Sequence, residues 1–401
     1  MSNTPKLRFP EFSGEWEEKT FGDILSLNMV PVEKPDTEYE RLGILCHNKG
    51  TFHEHITDPS YIALDTLYKV HKHNFIVNIT FAWEHAIAIT TEKDEDALVT
   101  FRFLMFTFNN GYYYQFFKYA FSKEKFRYDL SVASPGGAGR NRVLNQKQLN
   151  KIPLIVPPKT EQQKIADFLS NVDSIIATET KILNALQKKK KALMQKLFTQ
   201  QLRFKSDDGT DFPDWEESTL EKECEYVDYR GKTPKKVSTG IFLITAKNIK
   251  LGYIDYECSK EFIAENDFNE VMHRGKAKLG DVLITTEAPC GNVAQIDNEN
   301  VALAQRVIKY SSKGRLNNTF LKYYFLSDIF RTIINEKSTG STVKGIKGSV
   351  LHKQKVVIPS LEEQQKIADS LSSMDSLIQT QQKIVTTWQQ RKKALLQKMF
   401  I

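Results

Sequence analysis

The chain has 401 residues, of which 40% are hydrophobic and 11% aromatic, so it can build more than one packed core. Its formal charge of +7, from 56 Lys and Arg against 49 Asp and Glu, suits an anionic partner without requiring one. No apolar run has the length of a signal peptide or of a membrane span, and we therefore expect a cytoplasmic protein. The cysteines are too dispersed to indicate a disulfide framework or a zinc site, and they are Cys46, Cys224, Cys258 and Cys290.

The first predicted segment, residues 1–158, mixes short strands and helices. Its stretch RLGILCHNKGTFHEHITDPSYI has an apolar run, a Lys-Gly turn and then alternating residues, which is typical of a β-hairpin. Two more short strands are predicted in HNFIVNITFAWEHAIAI, and an aromatic helix in YYYQFFKYAFSKEKFR. The segment ends in a buried strand, KIPLIVPP, which Pro157 stops just before the next helix.

A long helix is predicted for residues 159–200. Apolar residues that alternate four and three apart form a heptad stripe, which Glu179 and Lys190 interrupt. The 38 residues from Glu161 to Phe198 would span roughly 57 Å at ~1.5 Å per residue. We interpret the four lysines at residues 188–191 as the solvated face of this helix rather than as a contact with phosphate or with another subunit.

The second predicted segment, residues 201–360, repeats the first one weakly. Both begin near an Arg-Phe pair and carry Trp-Glu-Glu further on, at Trp16 and Trp215. The hairpin, the two short strands, the aromatic helix and the proline-stopped strand return in the same order, whereas the residues of the hairpin and the turns differ. A duplicated frame with different loops is expected when each copy recognises something different.

A second long helix is predicted for residues 361–401, and it repeats the first closely. Of 38 aligned positions 23 are identical, and Gln381 and Lys392 interrupt the stripe where Glu179 and Lys190 do in the first copy. A helix with one apolar stripe needs a partner, and we expect the two copies to pair with each other. The predicted pairing residues are Ile165, Leu169, Val172, Ile176 and Leu183 in the first helix, and Ile367, Leu371, Met374, Ile378 and Val385 in the second.

The predicted architecture is therefore a mixed α/β (α+β) fold. Two similar globular domains are joined and spaced by two long antiparallel paired helices, with an internal pseudo-two-fold repeat. In this arrangement the two blocks would lie at opposite ends of the helical rod, which then acts as a spacer.

No catalytic motif stands out in the sequence. The nearest approach to a phosphate-binding loop, GSTVKGIK, has Ile346 where the motif requires lysine. The pair Pro157-Pro158 lacks the polar and aromatic neighbours that an adenine methyltransferase places around such a pair. Two His-x-His pairs have no carboxylate or cysteine at a metal-ligand spacing, so we expect surface histidines at His53 and His55 and at His71 and His73.

The repeated architecture and three stretches resemble the DNA specificity subunit of a type I restriction-modification system. The stretches are YVDYRGKTPKK at residues 226–236, GDVLITTEAPCGNVA at residues 280–294, and PSLEEQQKIAD at the start of the second long helix. The resemblance extends over essentially the whole chain. Where the second block has EAPCGNVA, the first has FAWEHAIA and lacks the glycine of that turn.

The resemblance implies two target-recognition domains, each reading one half of a bipartite, asymmetric site in double-stranded DNA, with the helices setting the unread spacer. It implies two modification subunits as partners, which would carry S-adenosylmethionine and methylate adenine, and restriction subunits that would use ATP and Mg to translocate and cut DNA. This chain would itself be non-catalytic and hold no cofactor or metal. The assembled complex would be an adenine-specific DNA methyltransferase and an ATP-dependent endonuclease.

Candidate DNA contacts follow from the chemistry of the loops. Phosphate contacts need Lys, Arg and small polar groups, and base readout needs side chains with paired donors or acceptors. In the second block we predict contacts at Tyr229, Arg230, Lys232, Thr233, Lys235, Lys236, Lys247, Asn248, Lys250, Arg274, Lys276, Lys344 and Lys347. In the first block we predict them at Asn48 and Lys49 in the hairpin turn, and at Arg140, Asn141 and Arg142 in a glycine-rich loop.

Two other classes of protein remain open from the sequence. A lone enzyme acting on nucleic acid would need a cluster of acids or a metal in one block, and turnover by the isolated chain would reveal it. A coiled-coil scaffold with two protein-binding heads would lack the salt-sensitive DNA binding that phosphate contacts produce.

Overall fold

The computed structural model describes residues 3–137, 142–229, 234–340 and 344–401. The chain forms two compact units. The first unit is Met1–Glu179 together with Ile384–Ile401, and the second is Thr180–Lys383. The division runs through both long helices, so each unit contains one α+β block and a part of each helix.

The first unit contains eleven strands and four short helices among its described residues. The strands are β1 (Glu17–Thr20), β2 (Leu25–Leu27), β3 (Val30–Glu33), β4 (Tyr39–Ile44), β5 (Thr51–Ile56), β6 (Thr66–Lys69), β7 (Phe75–Asn78), β8 (Ile87–Ile89), β9 (Leu98–Val99), β10 (Phe103–Phe108) and β11 (Pro153–Val156). The helices are α1 (Phe21–Ile24), α2 (Tyr114–Ala120), α3 (Glu124–Val132) and α4 (Gln146–Leu149), and the first long helix, α5 (Lys159–Phe198), begins here.

Three sheets build the first block. A two-stranded sheet joins β1 to β11, and a four-stranded antiparallel sheet has the order β2-β10-β7-β8. The third sheet has five strands in the order β3-β6-β9-β4-β5. The core lies between the four-stranded sheet and the short helices, where the buried Phe21 ring sits 5.4 Å from Phe75 and 5.2 Å from Phe106.

The second unit repeats this order of elements. Its strands are β12 (Glu216–Thr219), β13 (Cys224–Asp228), β14 (Ile241–Ile244), β15 (Phe262–Ile263), β16 (Val282–Thr285), β17 (Val293–Gln295), β18 (Val301–Leu303), β19 (Val307–Ser312) and β20 (Lys355–Ile358). Its helices are α6 (Leu220–Glu223), α7 (Phe268–Val271), α8 (Asn318–Leu326), α9 (Asp328–Lys337) and α10 (Gly348–His352), and the second long helix, α11 (Leu361–Met399), begins here.

Two of the three sheets in the second block match those of the first. The pair β12-β20 corresponds to β1-β11, and the sheet β13-β19-β16-β17 corresponds to β2-β10-β7-β8. The third sheet differs, because within the described residues it has three strands in the order β15-β14-β18. The predicted repeat of an α+β block is therefore confirmed, and the two copies diverge most in the third sheet.

A buried glutamate anchors the start of the first long helix to its block. Glu161 is fully buried and accepts two hydrogen bonds from the Arg8 guanidinium, at 2.8 and 2.7 Å, and a third from the Trp16 indole at 3.3 Å. The amide of Gln162 donates to the Pro157 carbonyl at 2.8 Å and accepts from the Tyr113 backbone N–H at 2.8 Å. Arg-Phe, Trp-Glu-Glu and Glu-Gln-Gln therefore repeat in the sequence because they form one anchor.

The same anchor holds the second long helix. Glu363 is fully buried and accepts from the Arg203 guanidinium at 3.1 and 2.8 Å and from the Trp215 indole at 3.1 Å. Gln364 donates to the Pro359 carbonyl at 2.8 Å and accepts from a backbone N–H at 2.7 Å.

The long helices pack antiparallel in the first unit. Met399, near the end of α11, lies in the same buried core as Ile165, near the start of α5. Further along both helices, Lys392 Nζ lies 2.5 Å from Asp173 Oδ1. Because the end of α11 lies beside the start of α5, the two helices run in opposite directions, and the predicted antiparallel orientation is confirmed.

The second unit contains the equivalent contacts. Leu197 and Phe198 at the end of α5 share a core with Ile367 and Leu371 near the start of α11, and Lys190 Nζ lies 2.5 Å from Asp375 Oδ1. Eight of the ten predicted pairing residues are buried, and the other two, Ile176 and Ile378, are partly buried. The interpretation of residues 188–191 as solvated needs one correction, because the Lys190 side chain is only 18% exposed. No helix in the described ranges is long and apolar enough to cross a membrane.

Candidate nucleic-acid interface

A cluster of basic and amide side chains surrounds the turn between β18 and β19 in the second unit. Gln305 in this turn borders two surface depressions, of about 410 and 270 Å³. The cluster, which we call the basic cluster, consists of Lys235, Lys236, Lys247, Arg274, Gln305 and Arg306. The fold thus brings together four of the predicted contacts, which are far apart in the sequence.

Local contacts position the basic cluster while leaving it accessible. Lys236 Nζ lies 2.7 Å from a Glu261 carboxylate oxygen, and Arg306 Nε lies 3.0 Å from Glu287 Oε1. The side chains of Lys236 and Arg306 are nevertheless 50% and 48% exposed. Ammonium, guanidinium and amide groups at such a surface provide the donors that bind phosphate oxygens and the edges of bases.

Two predicted contacts in this block are corrected by the structure, because both side chains are buried. The Asn248 amide oxygen accepts from the backbone N–H of Thr245 at 3.0 Å, and its nitrogen donates to the carbonyls of Asp255 and Ser259 at 2.9 and 2.8 Å. Tyr229 is 7% exposed and donates its hydroxyl to the Gly275 carbonyl, and burial raises the pKa of that hydroxyl. Both side chains hold the loops in shape, which leaves little of either exposed.

The remaining predicted residues of the second block are dispersed. Lys276 is exposed and lies 5.2 Å from the Phe268 ring, and Lys250 is partly buried. Lys344 is exposed, and the exposed Lys347 occupies the N-cap position of α10 without a capping hydrogen bond from its side chain. Five predicted contacts lie outside the described residues, namely Arg140, Asn141, Arg230, Lys232 and Thr233.

The predicted hairpin contacts of the first block lie in a different place. Asn48 and Lys49, in the turn between β4 and β5, line a groove of about 810 Å³ together with Lys118, Arg127 and Lys392. Because residues of α5 and α11 also line it, we call this the helix groove of the first unit. The hairpin turn therefore faces the long helices of its own unit.

The second unit has an equivalent helix groove of about 950 Å³. Leu251 and Tyr253 of the corresponding turn line it, with Lys190 and Lys191 of α5 and with Arg331 of α9. The two grooves use the same elements, and Lys392 and Arg127 of the first groove correspond to Lys190 and Arg331 of the second.

Arg142, also predicted as a DNA contact, is engaged within its own loop. Its Nε donates to the Ser134 carbonyl at 3.0 Å, and Nη2 donates to Ser131 Oγ at 2.8 Å. The guanidinium also lies 5.3 Å from the Trp83 ring. Its donors therefore shape the segment that follows α3.

The His-x-His pairs lie against neighbouring carboxylates. His53 Nε2 lies 3.1 Å from Asp94, and His55 lies 2.7 Å from Glu40 and 3.1 Å from Glu38. The bonds to Glu40 and Glu38 raise the pKa of His55. Among the described residues no group of three or more His, Cys, Asp or Glu side chains is arranged to hold a metal ion.

Sequence reasoning missed three residues at the candidate interface: Gln305, Arg306 and His273. It also missed Arg102, which precedes β10 as Arg306 precedes β19. In the sequence these arginines stand in FRF at residues 101–103 of the first block and in QRV at residues 305–307 of the second. Only an alignment of the two blocks strand by strand would have revealed that these arginines are equivalent.

The repeated α+β frame, the antiparallel helices and the exposed basic cluster define a class of two-unit α+β protein with a surface suited to nucleic acid. The family described as type I restriction modification DNA specificity domain matches this chain twice, over residues 13–188 and 213–387. The chain therefore belongs to this family, as the resemblance in the sequence indicated, and it is a specificity subunit that recognises a DNA sequence.

Relatives agree with this assignment. The type I restriction enzyme MjaVIII specificity subunit of Methanocaldococcus jannaschii is 29% identical over 295 residues, which are 69% of this chain and 68% of that protein. The putative MjaX specificity subunit of the same organism is 28% identical over 267 residues, which are 63% of this chain and 59% of that protein.

Solved structures show the same fold. The type I restriction-modification S subunit from M. genitalium superposes with a TM-score of 0.59 at 14% identity and covers 99% of both chains. A chain from a structure of type I restriction-modification complex assembly and conformational transition superposes with a TM-score of 0.55 at 16% identity, covering 96% of this chain and 97% of that one.

Proposed function

We propose that each unit reads one half of a bipartite, asymmetric DNA site. The observation that carries this proposal is the divergence of the third sheet, in which the described residues form five strands in the first unit and three in the second, on frames that otherwise match. A common frame presents both surfaces to the same double helix, and different surfaces favour different base sequences. The exposed basic cluster of the second unit supplies donors suited to one half-site.

The paired helices set the length of the unread spacer between the half-sites. The buried anchors at Glu161 and Glu363 tie the start of each helix rigidly to a block. The pairs Lys392–Asp173 and Lys190–Asp375 then hold the helices in one register. A helix pair of constant length would support recognition at one spacing.

The helix grooves dock two copies of one partner, the modification subunit. Among the described residues, four Lys or Arg and two acidic side chains line each groove. A surface that both units share suits a partner present twice, in contrast to the divergent sheets, which suit different DNA sequences. A partner with an acidic, partly apolar docking segment would complement both grooves.

The chemistry of the assembled complex belongs to the partner subunits. S-adenosylmethionine for adenine methylation and ATP with Mg for DNA translocation and cleavage bind there, and this non-catalytic chain selects the site. The complex acts in the cytoplasm, where its DNA substrate is found.

Methylome sequencing of cells with and without this chain tests the proposal. Expressed with its modification subunits, the chain should produce one split adenine-methylated motif that disappears when the chain is deleted. No bipartite motif that depends on the chain would refute the proposal.

A pair of substitutions tests the division of labour between the units. Lys236→Ala with Lys247→Ala in the basic cluster should reduce methylation and relax the sequence of one half-site only. Lys188→Ala with Lys189→Ala, which removes the same charge from the exposed face of α5, is the matched control and should leave the motif unchanged. Relaxation of both half-sites would contradict the assignment of one half-site to each unit.

A further inference from the structure

Both units present an arginine in the same structurally held turn. Arg102 immediately precedes β10, and Arg306 immediately precedes β19. The Ile79 backbone N–H donates to the Arg102 carbonyl at 2.9 Å, and the Thr286 N–H donates to the Arg306 carbonyl at 2.9 Å. We call the segments at residues 100–103 and 304–307 the arginine turns.

A second backbone bond ties each arginine turn to a loop that was predicted to contact DNA. The Ile79 carbonyl accepts from the Leu144 N–H at 2.8 Å, two residues after Arg142. The Thr286 carbonyl accepts from the Ile346 N–H at 2.9 Å, two residues after Lys344. The position of each arginine relative to the central sheet is therefore set by the shared frame.

The neighbours of the two arginines differ. The preceding residue is the half-exposed Phe101 in the first unit and Gln305 in the second. Ile79, whose backbone bonds to Arg102, is followed by Thr80, whereas Thr286, whose backbone bonds to Arg306, is followed by Glu287. The arginine is therefore the same in both units, whereas the residues next to it differ.

Both guanidinium groups are accessible to a ligand. Arg102 is exposed, and the Arg306 side chain is 48% exposed with its Nε near Glu287. In the second unit the arginine lies within the basic cluster, beside Lys236 and Lys247. A guanidinium has five N–H donors, so engagement of Nε leaves the terminal nitrogens to bind an anion.

We propose that Arg102 and Arg306 are equivalent contacts to the DNA backbone, one for each half-site. This inference rests on the proposed function and adds residues that bind phosphate regardless of sequence. Phosphates are the same at every base pair, so a contact to them can be kept in both units while the neighbouring base-reading residues diverge. Gln305 beside Arg306 is then a base-reading residue, whose amide provides a paired donor and acceptor.

The two kinds of contact have different signatures. Loss of one phosphate contact lowers the slope of log affinity against log salt by about 0.9, so the drop in affinity between 50 and 200 mM salt becomes about 3.5-fold smaller. Loss of a base contact changes the relative affinities of different sequences.

The experiment measures how the complex of this chain with its modification subunits binds DNA. One DNA carries the motif that the complex methylates, and the others carry variants of each half-site. Arg102→Ala and Arg306→Ala should each weaken binding to all sequences alike and reduce the salt slope by about one contact. Arg306→Lys should restore the slope because it keeps the charge, and Gln305→Ala should change only the base preference of one half-site.

Two controls separate the outcomes. Glu287→Gln removes the partner of Arg306 and should leave the salt slope intact, and melting temperatures show whether each variant is folded. If Arg102→Ala or Arg306→Ala changed base preference with an unchanged slope, or changed neither quantity, the inference would be wrong. Failure of the wild-type complex to bind any bipartite site would instead refute the proposed function.

Discussion

A buried ion pair in the second unit has an uncharged counterpart in the first. Lys309 Nζ lies 2.8 Å from Asp281 Oδ2, with side-chain exposures of only 7% and 3%. The strand registers place Met105 and Asn74 at the corresponding positions of the first unit. The chain thus contains the same site with and without its charges, and this provides a matched test of what the pair contributes.

Replacement of Lys309 by Met should destabilise the second unit strongly. The Asp281 carboxylate would remain buried, and the described residues would still offer it two donors, the Ser311 hydroxyl and the Lys278 backbone N–H. Removing one partner of a buried pair costs roughly 3–5 kcal/mol, and the two remaining donors favour the lower end, about 3 kcal/mol. For a unit of this size such a loss lowers the melting temperature by about 6–12 °C.

The double variant Lys309→Met with Asp281→Asn should recover most of this loss. It copies the first unit, where Thr107 donates to Asn74 Oδ1 at 3.1 Å and the Asn74 nitrogen finds no hydrogen-bond partner among the residues that the structure describes. That unpaired nitrogen suggests a remaining cost of about 1 kcal/mol. Differential scanning calorimetry of the whole chain measures both variants. If the double variant melted as low as the single one, the reasoning from the unpaired charge would be refuted.

Three further predictions concern the anchors, a buried histidine and the rod. Arg8→Ala should lower the unfolding free energy of the first unit by about 3 kcal/mol, because the buried Glu161 carboxylate loses its guanidinium partner. The double variant Arg8→Ala with Glu161→Gln should recover part of that loss, as measured by calorimetry. Burial lowers the pKa of His85, so the unfolded chain binds its proton more readily and stability should fall as the pH drops below ~6.5. Denaturant titrations from pH 7.5 to 5 should show a smaller fall for His85→Asn, and an equal fall would exclude this histidine as the cause. Four helix-forming residues inserted after both Thr180 and Gln382 lengthen the helix pair by ~6 Å. The unread spacer of the methylated motif should then lengthen by at most about two base pairs. Altered half-sites would contradict the proposal that the paired helices set the spacer.

The frame of the fold could be predicted because its signals are local or repeated. The heptad stripe identified the pairing face of both helices, since burial on one side of a helix leaves a period in the sequence. The interruptions at Lys190 and Lys392 looked like defects in that stripe. The structure shows that each makes an ion pair across the helix pair, with Asp375 and Asp173.

The candidate interface was only partly predictable because the exposure of a polar residue depends on distant segments. Asn248 and Tyr229 are residue types that are common in recognition loops. In the structure, however, Asn248 donates to the Asp255 carbonyl and Tyr229 donates to the Gly275 carbonyl. Arg306 was overlooked because a single arginine before an apolar strand carries no local signal. Only the fold places it beside Lys236 and Lys247.

The division of the long helices has a consequence for synthesis of the chain on the ribosome. The second unit is one continuous stretch, Thr180–Lys383, whereas the first is completed only by Ile384–Ile401. Phe400 lies 5.2 Å from the Phe116 ring and 6.4 Å from Trp16, deep in the core of the first unit. The core of the first unit therefore cannot be completed until Ile384–Ile401 have been synthesised, and a chain truncated after Lys383 would have an incomplete first unit and an intact second one.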